Sequence, residues 1–468
     1  MSAPTAPSTS SSTSSGVARP ASSGRTPSPR VPDEALRPVE TPLGPVEVAD
    51  VVVVGAGPGG AAAAAHLARR GRDVVLIDKE TFPRDKVCGD GLTPRVVREL
   101  LDLGLVDEAT GRADGWATQK GLRIHGGSTT MELPWPELDD WPAWGATASR
   151  RVFDATIART AAASGARLAQ RTGVTGPVWR DSSESRVMGV SWRREDEDGA
   201  VHEGVVHAPV VIAADGPGSI MAKRLGVERR PSRPMAVGVR TYYRSRRFDD
   251  EWISSFLDLT DRDGGLLSGY GWIFPLDDGT LNVGLGLLST SREFQGTNYR
   301  RMLKEWAGNP QMQEEWDTTE ENHVGPVLTG PIPMGFNRVP LHQRGVLLVG
   351  DSGGMVNPFN GEGISYAMEA GQLAAEVVDR ALTTRRTVDL DAYDAELRQR
   401  WGGYYQLGKV FAELVGNPTV MHVCTEYGMP HRPLMELVLK LMAHLTDASP
   451  ADAKDVLINT LQRLAPAA

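Results

Sequence analysis

The sequence ADVVVVGAGPGGAAAAAHLARRGRDVVLIDKE, residues 49–80, constrains the fold more than any other part of this chain. Val51 to Val54 form an uninterrupted apolar run, which is typical of a buried parallel strand, and three glycines follow in G-x-G-x-x-G spacing. An alanine-rich segment of high helix propensity comes next, and then a second apolar run that leads into Asp78. Strand, tight turn, helix, strand and acid in this order predict a βαβ unit that binds a dinucleotide.

The positions in this unit have separate physical reasons. Gly55 permits the tight turn, Gly57 lets a pyrophosphate approach the backbone, and Gly60 lets the helix and the strand pack closely. The free N–H groups at the start of the helix favour phosphates, and a carboxylate at position 78 can accept hydrogen bonds from a ribose. The motif alone does not distinguish FAD from NAD. The predicted cofactor contacts in this unit are Gly55, Gly57, Pro58, Gly59, Gly60, Asp78 and Lys79.

Two later segments repeat the plan of a strand that ends at an aspartate. APVVIAADGPGS, residues 208–219, runs into Asp215, and GVLLVGDSGGMVNPFNGEGI, residues 345–364, runs into Asp351. An aspartate at a strand end can reach a ribityl or ribose hydroxyl. A helix that begins at Gly363 and Ile364 can point its N–H groups at the pyrimidine edge of a flavin, where the helix dipole stabilises negative charge.

A further helix is predicted between these segments, in ASRRVFDATIARTAAASGARL. Ser149 is a plausible N-cap of this helix, and Arg150 stands at its first position. A cation at this place is well positioned for a phosphate or a ribose. We therefore add Arg150 to the predicted cofactor contacts.

The glycine fingerprint, the ADG segment and the GD…NP…GEGI segment together resemble a group of FAD enzymes that includes aromatic hydroxylases, halogenases and geranylgeranyl reductases. FPRDKVCGDGLTPR, residues 82–95, is similar to the Cys-Gly-x-Gly-Leu segment of the geranylgeranyl reductase family. GYGWIFPLDDGTLNVGLG, residues 269–286, resembles the Tyr-x-Trp-x-Phe-Pro and Gly-x-Gly motifs of that family. The Val-Gly-Glu-Ser and Trp-x-Trp-x-Ile-Pro segments of halogenases are missing. The sequence resembles the menaquinone reductase branch most.

The resemblance implies an α/β fold with an α+β insert. We expect a Rossmann-like FAD-binding domain of the glutathione-reductase/p-hydroxybenzoate-hydroxylase type, an antiparallel β-sheet substrate domain and C-terminal helices. The expected segments are a discontinuous FAD-binding domain over 48–115, 146–230 and 341–385, a substrate-binding domain over 116–145 and 231–340, and a helical region over 386–468. Residues 1–47, rich in Ser, Thr and Pro, predict a disordered arm. Residues 186–208 predict a β-hairpin around Asp198-Gly199.

Cys88 raises the question of why a scarce residue stands in this segment. The resemblance implies that it lies by the isoalloxazine ring of the flavin. The further cofactor contacts implied with it are Gly89, Asp90, Gly91 and Val174. From the residue alone, a free cysteine is usually a small buried hydrophobe. The chain has no C-x-x-C motif, so we favour a contact role over a redox thiol.

Large rings alternate in GYGWIFP. Tyr270, Trp272 and Phe274 share one face if this segment is a strand, and Pro275 ends its regular pairing. Three rings on one face form an apolar wall suited to a flexible hydrocarbon chain. The alternative is an ordinary half-buried strand that packs its rings into the core. We predict a substrate-binding role for the three rings and for Pro275.

The resemblance also implies the reaction. We expect a FAD-dependent reductase that saturates a carbon–carbon double bond in the isoprenoid chain of a prenyl lipid, with one isoprene unit of menaquinone preferred. The alternatives are a geranylgeranyl-diphosphate or prenyl-phospholipid reductase, a flavin-dependent aromatic monooxygenase or halogenase, and a flavin protein without catalysis. The expected cofactor is non-covalent FAD, with electrons from NAD(P)H or a carrier protein. Candidate proton donors are Tyr270, a water and Cys88. No metal site is expected.

The net charge, the number of cysteines and the apolar runs of the chain predict its partners and its cellular location. The net charge of −9 argues against nucleic acid as the main partner, and two cysteines, Cys88 and Cys424, indicate a reducing, cytoplasmic setting. No apolar run is long enough to predict a transmembrane helix. Residues 432–447 are mainly apolar, and Glu436 and Lys440 share one face at i,i+4 spacing, which predicts either a core helix or an amphipathic helix on a membrane. We expect peripheral association with the inner face of the cell membrane.

Overall fold

The structure is a computed structural model that describes residues 26–28, 31–106, 115–260, 262–267, 269–291, 294–415, 417–449 and 452–466. Within these ranges the strands are β1 (Val46–Val48), β2 (Val51–Val54), β3 (Val74–Ile77), β4 (Gly91–Leu92), β5 (Ala117–Gln119), β6 (Gly121–Gly126), β7 (Thr129–Pro134), β8 (Gly145–Thr147), β9 (Arg167–Ala169), β10 (Thr172–Trp179), β11 (Val187–Glu195), β12 (Val201–His207), β13 (Val210–Ala213), β14 (Met235–Arg244), β15 (Trp252–Phe256), β16 (Leu259–Thr260), β17 (Leu266–Leu267), β18 (Tyr270–Pro275), β19 (Thr280–Leu288), β20 (His323–Pro333), β21 (His342–Gln343) and β22 (Val346–Leu348). The α-helices are α1 (Asp33–Leu36), α2 (Pro58–Arg69), α3 (Pro94–Asp102), α4 (Arg150–Ala163), α5 (Ile220–Arg224), α6 (Tyr299–Ala307), α7 (Pro310–Trp316), α8 (Ile364–Thr384), α9 (Ala392–Val415), α10 (Pro418–Val423), α11 (Arg432–Ala443) and α12 (Ala453–Leu464). Shorter helical turns are the 3₁₀ turns Glu320–Asn322, Gly350–Ser352 and Thr387–Asp391 and the π-turn Cys424–Gly428.

A six-stranded sheet in the order β21-β22-β13-β2-β3-β9 lies at the centre of the predicted cofactor domain. Its strands pair in parallel, except that β21 pairs antiparallel with β22 at the edge. The apolar runs of β2 and β3 are buried along their whole length because both faces of the sheet are covered. Val51 and Val53 pack toward α2, α4 and α8, and Val52 and Val54 pack toward Trp192 of β11.

The second cover of this sheet is a four-stranded sheet in the order β1-β12-β11-β10. The predicted hairpin is present, since β11 and β12 pair antiparallel and the Asp196 amide donates to the Ala200 carbonyl at 2.9 Å. Gly199 takes a φ of +85° in the turn, which favours glycine.

The predicted disordered arm over 1–47 is wrong for its last part. Residues 33–36 form α1, and β1 pairs in parallel with β12. Leu36 is buried at 2 % exposure and Leu43 at 8 %, so both belong to the core. The Ser- and Pro-rich start dominated the average composition and concealed these apolar residues. Residues 1–25 and 29–30 lie outside the described residues.

A seven-stranded sheet in the order β20-β14-β19-β18-β15-β6-β7 faces the parallel sheet. It is antiparallel apart from the parallel pair β15–β6. One face packs under α6 and α7, where Leu281, Val283 and Leu285 contact Trp306 and Trp316 in a shared core. β8 pairs instead with β5 on one side and with β4 on the other, in a separate three-stranded sheet. The assignment of the seven-stranded sheet to substrate binding, and the predicted domain boundaries, stay predictions.

The C-terminal helices close the fold from 364 onward. α11 places Met435 and Leu439 against Leu133 of β7 in a buried cluster, so its main apolar stripe is core. Lys440 is buried and donates to Asp455 at 2.7 Å and to Asp452 at 2.9 Å. Among the helices of the described residues, none combines the length and the apolar content needed to cross a bilayer.

Candidate functional site

A cavity of about 740 Å³ lies between the carboxyl ends of the parallel strands and the seven-stranded sheet. Its volume is within the range of pockets that hold ligands of cofactor size. The predicted site residues that line it are Gly55, Gly57, Pro58, Gly59, Asp78, Lys79, Cys88, Gly89, Gly91, Arg150, Val174, Asp215, Tyr270, Trp272, Phe274, Asp351, Gly363 and Ile364. Three predicted residues do not line it: Gly60, Asp90 and Pro275.

The glycine turn after β2 forms one end of the cavity. Gly60 lies behind the turn, where an added Cβ would overlap the carbonyl oxygen of Gly55. Its contribution is therefore the close approach of α2 to the turn, which brings the helix N-terminus to the cavity. Pro58 occupies the first turn of α2, where its missing N–H costs nothing.

Asp78 follows β3 and borders the same end. Its Oδ2 accepts from the Ala56 amide at 2.7 Å and its Oδ1 from the Glu80 amide at 2.9 Å. Burial raises the pKa of this carboxyl, and the charge of Arg84 opposes that rise. Lys79 also borders the cavity, but its side chain is 78 % exposed and lies 3.7 Å from Glu80, so its charge is well solvated.

A buried cluster of two cations and one carboxylate stands beside the glycine turn. Arg150 begins α4 and donates from Nε and Nη2 to Asp154, both at 2.7 Å. Arg84 donates to Asp154 at 2.6 Å. Burial alone would raise the pKa of Asp154, but the two arginines hold it below its usual range. Arg84 Nη2 also lies 4.0 Å from Asp78 Oδ2, so the two arginines are shared between two carboxyl groups beside the cavity.

Two aspartates follow β13 and β22 at the centre of the cavity. Asp215 Oδ2 accepts from the Ile220 amide at 2.7 Å, and its Oδ1 is buried without a partner among the described residues. Asp351 lies 3.3 Å from Lys86 Nζ. α8 begins at Ile364 after Gly363 without a side-chain cap, so its first N–H groups are available to a ligand.

The segment around Cys88 packs against the aromatic wall. A Cβ at Gly89 or at Gly91 would lie 2.9 Å from Cε2 of Phe274, so only glycine allows this approach. Burial raises the pKa of the half-buried Cys88 thiol, and the charge of Arg150 opposes it. These features agree with a contact role for Cys88.

Asp90 is fully buried behind this segment, with a φ of +66°. It accepts from Tyr242 Oη and Asn282 Nδ2, both at 2.8 Å, and from the Arg150 amide at 3.2 Å. Burial raises the pKa of Asp90 to about 6, against the charge of Arg240. These polar partners hold its carboxylate away from the cavity, so Asp90 does not line the cavity that was predicted to hold the cofactor.

The three rings of β18 lie together on the cavity. The centroids of Tyr270 and Trp272 are 6.1 Å apart, and those of Trp272 and Phe274 are 6.5 Å apart. Trp272 Nε1 donates to Asn282 Oδ1 at 2.8 Å, and burial raises the pKa of Tyr270 to about 12. Pro275 is buried at the end of the strand, where its carbonyl accepts from the Thr147 hydroxyl.

Comparison with known proteins identifies the family. Residues 48–402 match the model of a FAD-binding domain. The chain belongs to this FAD-binding family. It is 36 % identical over 397 residues to a menaquinone reductase of Mycobacterium tuberculosis, across 85 % of this chain and 91 % of the relative.

Two further relatives are more distant. A digeranylgeranylglycerophospholipid reductase of Methanocella arvoryzae is 28 % identical, across 87 % of this chain and 98 % of the relative. The solved structure of a geranylgeranyl bacteriochlorophyll reductase-like protein of Thermoplasma acidophilum has a TM-score of 0.69 at 22 % identity, and covers 89 % of this chain and 100 % of its own. Together with the family match, these findings confirm the predicted α/β fold class and the predicted geranylgeranyl reductase family.

The family match confirms FAD as the predicted cofactor, and the residues present fit it. The uncapped start of α8 and the unpartnered Asp215 Oδ1 leave hydrogen-bonding capacity for a dinucleotide. The close packing at Gly60 brings the start of α2 to the cavity. In the described part of the chain, no group of three or more His, Cys, Asp or Glu side chains is arranged to hold a metal ion.

Several residues at the site were not predicted from the sequence. Those on or beside the cavity are Arg84, Lys86, Thr93, Asp154, Tyr242, Asn282 and Glu362. A sequence signal existed for Asp154, since it stands four residues after Arg150 on a helix, where opposite charges meet. Tyr242 and Asn282 lie 152 and 192 residues from Asp90 along the chain, and only the fold brings them together.

Proposed function

We propose that this FAD enzyme saturates one carbon–carbon double bond in the isoprenoid chain of a prenyl lipid, and that the bond belongs to an isoprene unit of menaquinone. The observation that carries the proposal is the wall of Tyr270, Trp272 and Phe274 on the same cavity as the dinucleotide cradle. The relatives named menaquinone reductase and digeranylgeranylglycerophospholipid reductase support the substrate class. The missing halogenase motifs argue against the aromatic alternative.

The chain's own residues would perform three tasks in this reaction. The glycine turn, Arg150 and the start of α8 would bind the cofactor, and FAD that the electron donor has reduced would supply the hydride. The aromatic wall would orient the hydrocarbon chain and exclude water from the reacting carbons. A protein group must add a proton to the second carbon, because an isolated alkene has no carbonyl to take up charge. The electron donor we propose is NAD(P)H or a carrier protein.

The test is anaerobic. The purified holoenzyme is reduced with dithionite, mixed with menaquinone and geranylgeranyl diphosphate in detergent, and both lipids are analysed by mass spectrometry. Menaquinone that gains two hydrogens supports the proposal. If only geranylgeranyl diphosphate gains two hydrogens, the proposed substrate is wrong and the proposed reaction class stands. Oxygen-dependent hydroxylation or halogenation of an aromatic compound, without any gain on either lipid, would replace the reaction class.

We also propose that the protein works at the cytoplasmic face of the membrane, since its lipid substrate resides in the bilayer. The C-terminal helices expose large apolar side chains, which is the composition of an interfacial surface. These side chains are Val410, Leu414, Val423, Tyr427, Leu434, Val456, Leu457, Leu461 and Leu464. These side chains lie on α9, α10, α11, α12 and the π-turn. On α11 only the exposed face contributes, because its other face is buried in the core.

The membrane proposal is tested by sedimentation with phospholipid vesicles. The double variant Val410→Asp, Leu414→Asp should reduce the bound fraction at least about fivefold, because charged groups oppose apolar insertion. Val201→Asp, on the exposed hairpin strand β12, is the matched control and should bind like the unaltered chain. Equal binding of the double variant and the control would refute the proposed surface.

A further inference from the structure

Glu362 stands in the turn that joins the aromatic wall to the start of α8. The Glu362 amide donates to Asn360 Oδ1 at 2.9 Å, and its carbonyl accepts from the Asn357 amide at 2.8 Å. The carbonyl of Asn360 in turn accepts from Tyr270 Oη at 3.3 Å. The turn therefore has a fixed conformation and is tied to the wall on which the substrate chain would lie.

The side chain of Glu362 borders the cavity together with Thr93. Its Oε1 accepts from the Thr93 hydroxyl, and its Oε2 is buried without a hydrogen-bond partner among the described residues. An ionised carboxylate accepts at both oxygens, so one enclosed oxygen without a donor disfavours the charged form. A protonated carboxyl group loses much less in this environment.

Burial of the Glu362 side chain also favours the protonated form. Burial raises its pKa and Glu369 adds to the rise, while the hydrogen bond from Thr93, the nearby Ser365 hydroxyl and the charge of Arg95 oppose it. The Ser365 hydroxyl makes no hydrogen bond to Glu362 Oε2, since neither atom has a partner among the described residues. Arg95 from α3 is engaged elsewhere, because one of its nitrogens lies 2.6 Å from each carboxylate oxygen of Glu369. The other titratable groups that face Glu362 are Tyr366 of α8 and Tyr404 and Tyr405 of α9.

We propose that Glu362, paired with Thr93, is the proton donor of the reduction, an assignment that rests on the proposed function. The alkene π electrons form a new C–H bond with the proton, and the O–H bond of Glu362 breaks and leaves a carboxylate. The other alkene carbon takes the hydride that the cofactor supplies. Water then returns a proton to the carboxylate. The two side chains among the three earlier candidates are weaker acids, since burial raises the pKa values of both Tyr270 and Cys88.

The experiment compares Glu362→Gln with the unaltered holoenzyme. Glutamine keeps the size and the hydrogen bond to Thr93 but carries no acidic proton. Reoxidation of the dithionite-reduced enzyme by the prenyl lipid is followed in single turnover. We expect the rate constant of reoxidation to fall about 10²- to 10⁴-fold in the variant. FAD content and lipid affinity should stay within about twofold of the unaltered enzyme, since a missing proton alone changes neither. Glu376→Gln, at a half-buried position on the same helix α8 where the carboxylate lies 3.9 Å from Arg70 Nη2, is the matched control.

A second readout does not depend on turnover. The infrared spectrum of the unaltered chain should contain the carbonyl stretching band of a protonated carboxyl group. Glu362→Gln should lose this band, and Glu376→Gln should retain it. Thr93→Val tests the path of the proton: a loss as large as that of Glu362→Gln indicates transfer through the hydroxyl, and a small loss indicates direct transfer.

The outcomes separate this assignment from the proposed function. If the unaltered enzyme reduces no prenyl lipid, the proposed function fails and the assignment fails with it. If the lipid is reduced and Glu362→Gln is as fast as Glu376→Gln, or lacks the infrared difference, only the assignment of Glu362 is overturned. A larger loss in Tyr270→Phe or Cys88→Ala than in Glu362→Gln would also overturn it.

Discussion

At the scale of single residues, Asn282 joins the two parts of the site. Its Nδ2 donates to the Cys88 carbonyl and to Asp90 Oδ2, both at 2.8 Å, and its Oδ1 accepts from Trp272 Nε1 at 2.8 Å. The Cys88 segment and the aromatic wall are therefore positioned by one amide. No local sequence pattern indicates this role, because a lone asparagine on a strand is most often a surface residue.

Asn282→Leu should destabilise the fold by about 2–4 kcal/mol, because it leaves several buried polar groups without partners. The FAD content of the purified protein should fall as well, since the Cys88 segment loses its anchor. Urea denaturation and the flavin absorbance measure the two effects. A free energy of unfolding unchanged within about 0.5 kcal/mol would contradict the network.

Glu99 gives a pH-dependent prediction at the same scale. Burial and the charges of Glu369 and Asp102 raise its pKa to about 8, against the charges of Arg95 and Arg98. The folded state then keeps a proton that the unfolded chain releases, so this group's contribution to stability is lost as pH rises from about 5 to about 8. Glu99→Gln stays neutral and should flatten that decline in urea unfolding. If the free energy of unfolding changes with pH equally in the variant and in the unaltered chain, the prediction is wrong.

At the scale of elements, α11 has two distinct faces. Leu439 is 5 % exposed against the seven-stranded sheet, and Leu434 is 44 % exposed. Leu439→Ala should cost about 2–5 kcal/mol of unfolding free energy, while Leu434→Ala should stay within about 0.5 kcal/mol. Urea denaturation of both variants checks this. Equal effects would mean that the helix does not pack as described.

The elements also show how far the sequence predicts this fold. β2, β3 and β13 were predictable because strands buried on both faces are continuous apolar runs, and the hairpin of β11 and β12 because of its Asp-Gly turn. β1 was missed because three residues, Val46 to Val48, carry little periodicity and gain their stability from pairing with β12. Pairing across the chain depends on tertiary packing, which local patterns do not encode.

The site follows the same division. Backbone features such as the glycine turn and the start of α8 were predictable because tight turns and close backbone approaches require glycine, which is visible in the sequence. Polar partners such as Arg84 for Asp154 were not, since their separation of 70 residues conceals the pair. Asp90 was assigned to the cofactor from its place in the motif, and the structure turns it toward Tyr242 instead.

At the scale of the whole molecule, the cavity lies between separate sheets and helices that contribute to it from 54 to 367. Bound FAD should therefore stabilise the chain as a unit: at free FAD about a hundredfold above its dissociation constant, the gain should be about 2.7 kcal/mol. Removal of FAD should lower the thermal midpoint in calorimetry, and added FAD should restore it. A midpoint that does not respond to FAD would contradict this linkage.

The polar network behind Cys88 has an evolutionary consequence. Asp90 is buried with Tyr242, Asn282 and the Arg150 amide as its donors, and Asn282 also holds Trp272. A single substitution at any of these positions leaves the others unsatisfied, so the intermediate would be less fit than either end state. In lineages that descend from a common ancestor of this chain, positions 90, 242 and 282 should be inherited together and exchanged together, as one heritable character.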